Sequence, residues 1–243
     1  TRDRMPVRVL ARIRTQRSYM TTITTEPTPP SGDSHQPTAF TTSRGSTSSA
    51  ADRLRSITSP RNLLTISVTL LTAVASLGLY TYLTVVLSAG SLASHQSLGI
   101  WVWGLGGALG ALGIGWLVDR CDPLRLSAVI LAGLTCALIG MTQGHLPGVT
   151  VVSLFIWGLC GWSSLAPQQH VLLQANPADG ATAVAANASA NYLGSALGAT
   201  LGSLLVAAHV APDVLCGSAA GVAALALLCQ IVRQRVGFQS VDA

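Results

Sequence analysis

Carboxamide side chains at regular spacing in a long apolar segment are the first residues of this sequence that could do chemistry. Asn187, Asn191 and Ser195 recur at every fourth residue. A four-residue step drifts by only about 40° around an α-helix, so these side chains share one face with the small-residue row that contains Gly194. Because an amide both donates and accepts hydrogen bonds, this face is suited either to binding a polar solute or to joining two helices.

A second group of polar and aromatic residues surrounds a proline in the preceding apolar segment: Trp157, Trp162, Ser163, Ser164, Pro167, Gln168 and Gln169. Proline removes one backbone hydrogen bond, so Pro167 frees the carbonyl of Ser163. A kinked or unwound helix can present that carbonyl to a cavity. In the alternative interpretation, neighbouring hydroxyl groups satisfy the kink, and Gln168 and Gln169 lie towards the membrane interface.

Four aromatic residues lie near the outer ends of two predicted spans. Trp101 and Trp103 are assigned to the aromatic belt found at membrane interfaces. Tyr80 and Tyr82 lie a turn or two further into their helix, so a belt position and a role in binding both stay open for them. The predicted solute-contact residues are Tyr80, Tyr82, Trp157, Gln168, Asn187 and Asn191.

The sequence offers no set of residues typical of an enzyme. Its five histidines lie in the first segment or near predicted helix ends, and no nucleophile elbow, zinc-binding helix or buried carboxylate pair is present. The five cysteines form no C-x-x-C pair, so we interpret them as small apolar residues and expect no metal or cofactor. The carboxylates of the apolar body are all predicted loop residues: Asp119, Asp122, Asp179 and Asp213. A proton relay at membrane depth therefore requires a carrier on another segment.

The elements that hold these residues follow from the distribution of charge. Only 23 of the 243 residues, or 9%, are Asp, Glu, Lys or Arg, against roughly 25% in a soluble domain. Residues 1–61 hold 14 of these charges, and only six fall between Asn62 and Val232. The charge-free runs of 57, 53, 33 and 19 residues accommodate two, two, one and one helices of about 20 residues. We therefore predict an all-α integral membrane protein with six transmembrane helices.

The six predicted spans and their orientation follow from the same runs. The spans cover residues 63–87, 97–118, 124–142, 149–173, 181–208 and 214–232. All 14 basic residues are Arg, and none lies in the alternate loops at 88–96, 143–148 and 209–213. Because short Arg-rich segments stay in the cytoplasm, this split places both termini there. Membrane topology thus explains the basic charge, and no nucleic-acid partner is expected.

The first 61 residues differ in composition from the body. Between Thr15 and Ser59, twenty of 45 residues are Ser or Thr, and such a stretch buries too little apolar surface to fold. The predicted organisation is a disordered cytoplasmic arm or linker at 1–61, a six-span membrane domain at 62–232 and a cytoplasmic tail at 233–243. Arg-rich and Ser-rich composition also suits an organelle transit peptide, but no amphipathic face accompanies it here.

Rows of small residues indicate how the helices pack. Lipid tails provide no hydrophobic drive for pairing, so close backbone approach through small residues must supply the contact. The rows are Gly107, Ala111 and Gly115 in the second span and Ala190, Gly194, Gly198 and Gly202 in the fifth. Gly106 and Gly110 form a shorter row beside the first. We expect helix contacts along these rows.

A short motif joins the second span to the loop that follows it. The residues read Gly115-Trp-Leu-Val-Asp119-Arg120-Cys-Asp122-Pro123-Leu-Arg125. This motif resembles the loop signature G-x-x-x-D-R-x-G-R-R of the major facilitator superfamily, with Asp122 in place of Gly and a basic residue restored at Arg125. Three further segments add to the likeness: Tyr80-Thr-Tyr-Leu-Thr, Ala166-Pro-Gln-Gln, and Asn187 with the glycine row after it. Over about residues 56–236, the chain is similar to the C-terminal six-helix half of a drug/proton antiporter or sugar-efflux member.

The resemblance implies a function and a location. Members are secondary transporters, so it implies proton-coupled efflux of a drug, sugar or other small organic solute by alternating access between parallel halves. It implies a multi-pass protein of the bacterial cytoplasmic membrane. It also implies a conformational latch formed by Gly115, Asp119, Arg120 and Arg125, with Asp119 near a helix N-terminus, whose dipole favours a negative charge.

Length is the main departure from the family, which uses twelve spans where six are predicted here. The expected partners are therefore a small-molecule substrate, the lipid bilayer, and a missing N-terminal six-helix half or a second copy of this chain. In that interpretation, residues 1–61 contain the linker between halves. The alternative is an orphan or truncated six-helix scaffold that pairs with a partner and does not transport alone.

Overall fold

The structure, a computed structural model, describes residues 58–239, with side chains through Arg235. Within this range the backbone forms eight α-helices and one short 3₁₀ helix, Ala93–His95. The α-helices are α1 (Pro60–Tyr80), α2 (Leu83–Ser88), α3 (Gln96–Val118), α4 (Pro123–Met141), α5 (Pro147–Ser163), α6 (Leu165–Ala175), α7 (Gly180–Ala207) and α8 (Pro212–Gln239). No strand occurs among these residues, and the predicted all-α fold is confirmed.

Six stretches of the described range are long and apolar enough to cross a membrane, as predicted. They are α1, the 3₁₀ helix with α3, α4, α5 with α6, α7, and α8. Most of their bounds fall within a few residues of the predicted spans, and α2 completes the first. α8 continues as a helix to Gln239, beyond the predicted end of the sixth span at residue 232. Of the predicted arm, residues 1–57 lie outside the described range.

Proline and small polar residues mark where helices begin. α1, α4, α5 and α8 each start at a proline, whose missing N–H is tolerated in the first turn. Asp122 caps α4, because its Oδ1 accepts from the backbone N of Leu124 at 2.8 Å and of Arg125 at 3.1 Å. Ser59 caps α1 through the backbone N of Asn62 at 3.4 Å. These caps fix where the chain enters the bundle.

Neighbouring helices follow the order α7, α1, α8, α4, α5, α3 across the bundle. α1 packs against both α7 and α8, and α4 packs against both α8 and α5. Helices α3 and α7 therefore lie at the two ends of this array. Between the helices, the most deeply buried large side chains include Leu134, Leu138, Leu154 and Trp157.

The two ends of the bundle differ in charge. Asn62, at the start of α1, donates to Asn176 after α6 at 2.9 Å, and Gln230 of α8 donates to the carbonyl of Leu124 in α4 at 2.9 Å. This end, where α1 and α4 begin and α6 and α8 finish, is called the basic end. It holds every Arg of residues 58–235: Arg61, Arg120, Arg125, Arg233 and Arg235. The opposite end is called the Arg-free end.

Glycines bring two pairs of helices into direct backbone contact. Between α3 and α5, a Cβ added at Gly158 would overlap the carbonyl oxygen of Trp103. Between α1 and α7, a Cβ added at Gly198 would overlap the carbonyl oxygen of Val74 and lie 2.7 Å from Gly78 Cα. A larger side chain does not fit at either glycine without displacing backbone. The pairs α3–α5 and α1–α7 are therefore the most closely packed in the bundle.

The predicted small-residue rows contribute unequally to these contacts. The fifth-span residues lie against α1 or against Tyr82, which follows it: Gly194, Gly198 and Gly202. In α3, the shorter row of Gly106 and Gly110 faces α5. Gly107 meets the side chain of Trp162, which also belongs to α5. Ala111 and Gly115 are exposed, so the longer row does not continue the contact as expected.

Candidate functional site

A cavity of about 280 Å³, called here the central cavity, opens between the two glycine-packed pairs. Its walls come from α1, α3, α5, α6 and α7, which belong to four of the six spans. The polar and aromatic residues that line it are Thr72, Ser76, Trp103, Trp162, Ser164, Asn191 and Tyr192. Among the described residues that line it, none carries a formal charge. The cavity therefore combines aromatic faces with a few hydrogen-bonding groups.

α1 brings a stripe of hydroxyl groups to this cavity. Thr65, Thr69, Thr72 and Ser76 recur every three or four residues and are all buried, and the last two reach the cavity wall. Thr72 Oγ1 donates to a carbonyl of its own helix at 2.7 Å, whereas Ser76 Oγ accepts from Trp157 Nε1 at 2.9 Å. The site predicted from the sequence did not include these hydroxyl residues, although their spacing of three or four residues indicates that they share one face of a helix.

Trp103 is the centre of an aromatic cluster beside the cavity. Its ring stacks on Tyr80 at 4.2 Å between centroids and meets Trp157 and Trp162 edge-on at 6.1 and 6.2 Å. Only 7% of Trp103 is exposed, so its assignment to the aromatic belt is wrong, whereas Trp101 is 78% exposed. The belt argument uses depth along the helix alone, and depth does not specify which face a residue occupies.

Two of the predicted solute contacts, Trp157 and Tyr80, belong to this cluster and relate to the cavity in different ways. Trp157 has no exposed surface, so it contacts the cavity only through Ser76 and Trp103, which it supports. Tyr80 is 41% exposed at the end of α1, and its stacking on Trp103 holds one wall of the cavity. Trp162, which belongs to the proline-centred group of the sequence, lines the cavity directly.

The carboxamides of α7 occupy different environments. Asn191 lines the cavity next to Tyr192. Asn187, one turn earlier, has no exposed surface, and neither its Oδ1 nor its Nδ2 has a hydrogen-bond partner among the described residues. Buried polar groups are nearly always hydrogen-bonded. The amide of Asn187 is therefore an unsatisfied polar group in the membrane interior.

The helix break of the fourth span lies at Ser164, between α5 and α6, three residues before Pro167. Ser164 and Leu165 line the central cavity at this break. The hydroxyls of Ser163 and Ser164 donate to carbonyls of the preceding turn at 2.6 and 2.8 Å. Gln168 is 2% exposed and is not among the residues that line the central cavity.

Gln168 instead belongs to a buried network at the basic end. Its Nε2 donates to Ser127 Oγ at 2.6 Å and to Gln230 Oε1 at 3.4 Å. Its Oε1 accepts from Arg233 Nη1 at 3.1 Å. Gln234 extends the network, because its Nε2 donates to a carbonyl of α4 at 2.7 Å. The network joins α4, α6 and α8, and Gln168 is not among the residues that line the central cavity.

Tyr82 lies on a different cavity from the other predicted contacts. Its hydroxyl donates to the carbonyl of Ala199 at 2.6 Å, and its ring covers Gly202. It lines an apolar cavity of about 330 Å³ between α1, α7 and α8. Within this structure, Tyr82 therefore fastens α7 to the end of the first span.

The predicted latch extends from the last turn of α3, which contains Gly115, to the first turn of α4, which contains Arg125. Asp119 is the C-cap residue of α3, and the side chain that caps the N-terminus of α4 is that of Asp122. Arg120 lies over the ring of Trp116 at 4.2 Å.

The described residues that line the cavity include no Asp, Glu, His or Cys. The carboxylates between residues 58 and 239 lie at helix ends or in turns, and within this range no group of His, Cys, Asp and Glu could hold a metal ion. Trp103 Nε1 and the amide of Asn187 have no hydrogen-bond partner among the described residues. The central region therefore offers stacking surfaces and unused hydrogen-bonding capacity.

One comparison with known proteins gives a match. The family model described as Major Facilitator Superfamily matches residues 19–199, which is more than half of the chain. The match covers α1 to α6 and most of α7, and it begins before α1. No curated protein and no solved structure matches the chain at a significant level.

Proposed function

The chain belongs to the major facilitator superfamily, and we propose that it forms half of a carrier that exports a small organic solute through the central cavity. It is a multi-pass membrane protein of a transporter family. The observation that carries the proposal is the uncharged cavity of about 280 Å³, which lies between two separate helix pairs. Assignment to the drug/proton antiporter or sugar-efflux branch is part of the proposal.

The lining of the cavity supports a flat, weakly polar or cationic solute. Trp103 and Trp162 offer aromatic faces, on which ring systems and organic cations bind. Asn191 and Ser164 add hydrogen-bonding groups that can orient the solute. The volume is near the lower limit of about 300 Å³ for drug-sized pockets, which suits a small compound or one part of a larger solute.

Each predicted contact takes a role in this proposal. Asn191 binds the solute, while Tyr80 and Trp157 position Trp103 and Ser76. Asn187 becomes a contact when alternating access moves the α1–α7 pair away from the rest of the bundle, because its unsatisfied amide then gains a partner. Gln168 and Tyr82 act on the solute only through the arrangement of the helices that they join.

Orientation and coupling are also proposed. The presence of every described Arg at one end supports cytoplasmic termini, and we propose the bacterial cytoplasmic membrane as location. For proton coupling, the carrier would belong to another segment, because the acidic residues between Asn62 and Val232 lie at helix ends or in turns. The latch of Gly115, Asp119, Arg120 and Arg125 would then control closure on the cytoplasmic side.

A binding experiment tests the proposal without requiring a complete carrier. The purified chain in mild detergent is titrated with tetraphenylphosphonium, ethidium and lactose while tryptophan fluorescence is recorded. We expect saturable quenching by at least one of the aromatic cations, because Trp103 and Trp162 line the cavity. Asn191→Ala should weaken binding about tenfold, the loss of one good hydrogen bond.

Ser189→Ala is the matched control, because Ser189 lies on the same helix, is exposed and donates only to its own backbone. Its affinity should equal that of the unchanged chain. Equal binding by the Asn191→Ala variant, or no saturable quenching by any probe, would reject the central cavity as the solute site.

A second candidate is a six-helix scaffold that pairs with a partner and transports nothing alone. It is favoured by the exposed faces of α3 and α7, the two helices at the ends of the array, where Leu112 is 82% and Tyr192 is 74% exposed. Particle size in mild detergent and flux in vesicles separate the two. A monomer that shows no flux favours the scaffold, and a dimer that carries tetraphenylphosphonium favours a self-paired carrier.

A further inference from the structure

Arg233 is a buried cation at the basic end of the bundle. Only 7% of its surface is exposed. A guanidinium group has five N–H donors, and a buried charge is normally paired with an opposite charge. Within residues 58–235, its hydrogen-bond partner is the neutral Oε1 of Gln168 at 3.1 Å, and no carboxylate forms an ion pair with it. The charge of Arg233 is therefore uncompensated by the described residues.

A second cavity, called here the basic-end cavity, adjoins this residue. Its volume is about 310 Å³, and Arg233 of α8 forms one wall. The other polar lining residues are Arg61, Asn62 and Thr65 of α1 and Gln174 of α6. Among the described lining residues there is no Asp or Glu. The charged residues of this lining are therefore both Arg.

The one backbone acceptor that the network brings to this wall is already occupied. The carbonyl of Leu124 accepts from Gln230 Nε2 at 2.9 Å and from Gln234 Nε2 at 2.7 Å. Leu124 is one of the lining residues. Because two donors cover its oxygen, this carbonyl presents less negative potential to the cavity. The hydrogen bonds of the network therefore leave the positive charge of Arg233 available to an anion in the cavity.

We propose that the basic-end cavity binds a phosphate-type oxyanion, with Arg233 as the buried anchor. The planar guanidinium matches two oxygens of a phosphate and forms charge-assisted hydrogen bonds with them. Gln168 positions Arg233 by accepting a hydrogen bond from its Nη1. Ser127 fixes the orientation of the Gln168 amide by accepting from its Nε2. The site is separate from the central cavity and does not depend on the proposed efflux.

Two sources can supply this chemistry. One is free phosphate, and the other is the headgroup of an anionic phospholipid. The cavity lies where α1 and α4 begin and α6 and α8 finish, which is the depth of the headgroups for helices that span the bilayer. Basic pockets between membrane helices bind such headgroups. The experiment below has one arm for each source.

In the first arm, the melting temperature of the full chain in neutral detergent is measured with increasing inorganic phosphate, against sodium chloride of equal ionic strength. In the second arm, phosphatidylcholine nanodiscs with and without phosphatidylglycerol are compared. A ligand that binds the folded state raises the melting temperature. A response to phosphate identifies the free anion, and a response to phosphatidylglycerol alone identifies the headgroup.

Arg233→Gln should raise about tenfold or more the concentration of phosphate or phosphatidylglycerol that is needed for a given rise in melting temperature, because it removes the charged donor of the site. Arg235→Gln is the matched control, two residues further along α8 and exposed, and its response should change less than about twofold. No response in either arm, or an equal response in the Arg233→Gln variant, overturns the proposal.

Gln168→Glu keeps the proposal testable even if Arg233→Gln does not fold. A carboxylate in place of the Gln168 amide would form an ion pair with the guanidinium and occupy it internally. We expect this variant to fold, as judged by its circular dichroism, and to lose most of its response to phosphate or phosphatidylglycerol. A full response in folded Gln168→Glu protein would show that Arg233 does not hold the anion, and would overturn the proposal.

Discussion

The basic end and the middle of the bundle are held together by different interactions. At the basic end, side-chain hydrogen bonds join helices, as from Asn62 to Asn176 and from Gln168 to Ser127. In the middle, glycines place the backbones of α3 and α5, and of α1 and α7, in direct contact. Several directional bonds fix the first region, whereas backbone packing dominates the second, where the bond from Trp157 to Ser76 adds to it.

Two carboxamides buried in the bundle are in opposite situations. Gln168 bonds through both ends of its amide, whereas neither end of Asn187 has a partner among the described residues. The difference shows that depth in the membrane does not by itself decide the role of a polar residue. Gln168 stabilises the fold, and Asn187 keeps hydrogen-bonding capacity that the fold does not use.

The largest expected effect tests the packing of the middle. Gly158→Leu should destabilise the chain by more than about 3 kcal/mol, because even its Cβ would overlap the Trp103 carbonyl. Thermal unfolding in mild detergent, followed by circular dichroism, measures the loss. Gly113→Leu on α3 is the control, since a Cβ at Gly113 meets nothing within 4 Å. Equal melting temperatures in the two variants would contradict backbone contact between α3 and α5.

The next effect tests the hydrogen bonds of the basic end. Gln168→Leu should cost about 2–3 kcal/mol of unfolding free energy, because it removes the bonds to Ser127 and Arg233 and leaves the guanidinium without its acceptor. Gln169→Leu, at the neighbouring and less buried position, should change stability far less. The same unfolding assay applies, and a loss that is no larger at 168 than at 169 would show that the network does not stabilise the bundle.

A smaller effect of opposite sign is expected at the second carboxamide. Asn187→Leu should leave stability unchanged or raise it by up to about 1 kcal/mol, because no hydrogen bond is lost and an unsatisfied amide is removed. Binding of the fluorescence probes or flux in vesicles should nevertheless decrease, if Asn187 contacts the solute in another conformation. Destabilisation by more than about 1 kcal/mol would show that the amide is bonded in the membrane, and the comparison with Gln168 would fail.

The smallest structural effect is expected at Gly115, the residue of the predicted latch that lies in the last turn of α3. Gly115→Ala should change the unfolding free energy by no more than about 0.5 kcal/mol, because Gly115 is exposed and a Cβ there meets nothing within 4 Å. If the latch controls closure, flux should decrease while probe affinity stays the same. Gly104→Ala, in a similarly open position of α3, is the control. Equal flux in both variants would remove Gly115 from the latch.

The helices of this fold could be predicted closely from the sequence, because charge and proline mark where a chain leaves the membrane. Pro123, Pro147 and Pro212 lie in predicted loops and begin α4, α5 and α8. The extension of α8 past Val232 was missed, because Arg233 and Gln234 are polar and only their tertiary partners keep them inside the bundle.

The site was less predictable than the helices. Asn191 and the proline-centred segment could be found, because polar residues stand out in apolar spans. The partners of Gln168 could not, since Ser127 and Gln230 lie 41 and 62 residues away along the chain. Trp103 was assigned to the wrong environment, because its stacking on Tyr80 depends on how α1 and α3 approach each other.

The glycine contacts also limit how this protein can move. Where Gly158 meets Trp103 and Gly198 meets Gly78, no layer of side chains separates the two helices, so neither helix can slide past its partner without a backbone collision. α3 with α5, and α1 with α7, must each travel as one rigid body. Opening or closing the space between the two helix pairs is therefore a hinge motion of one pair relative to the other.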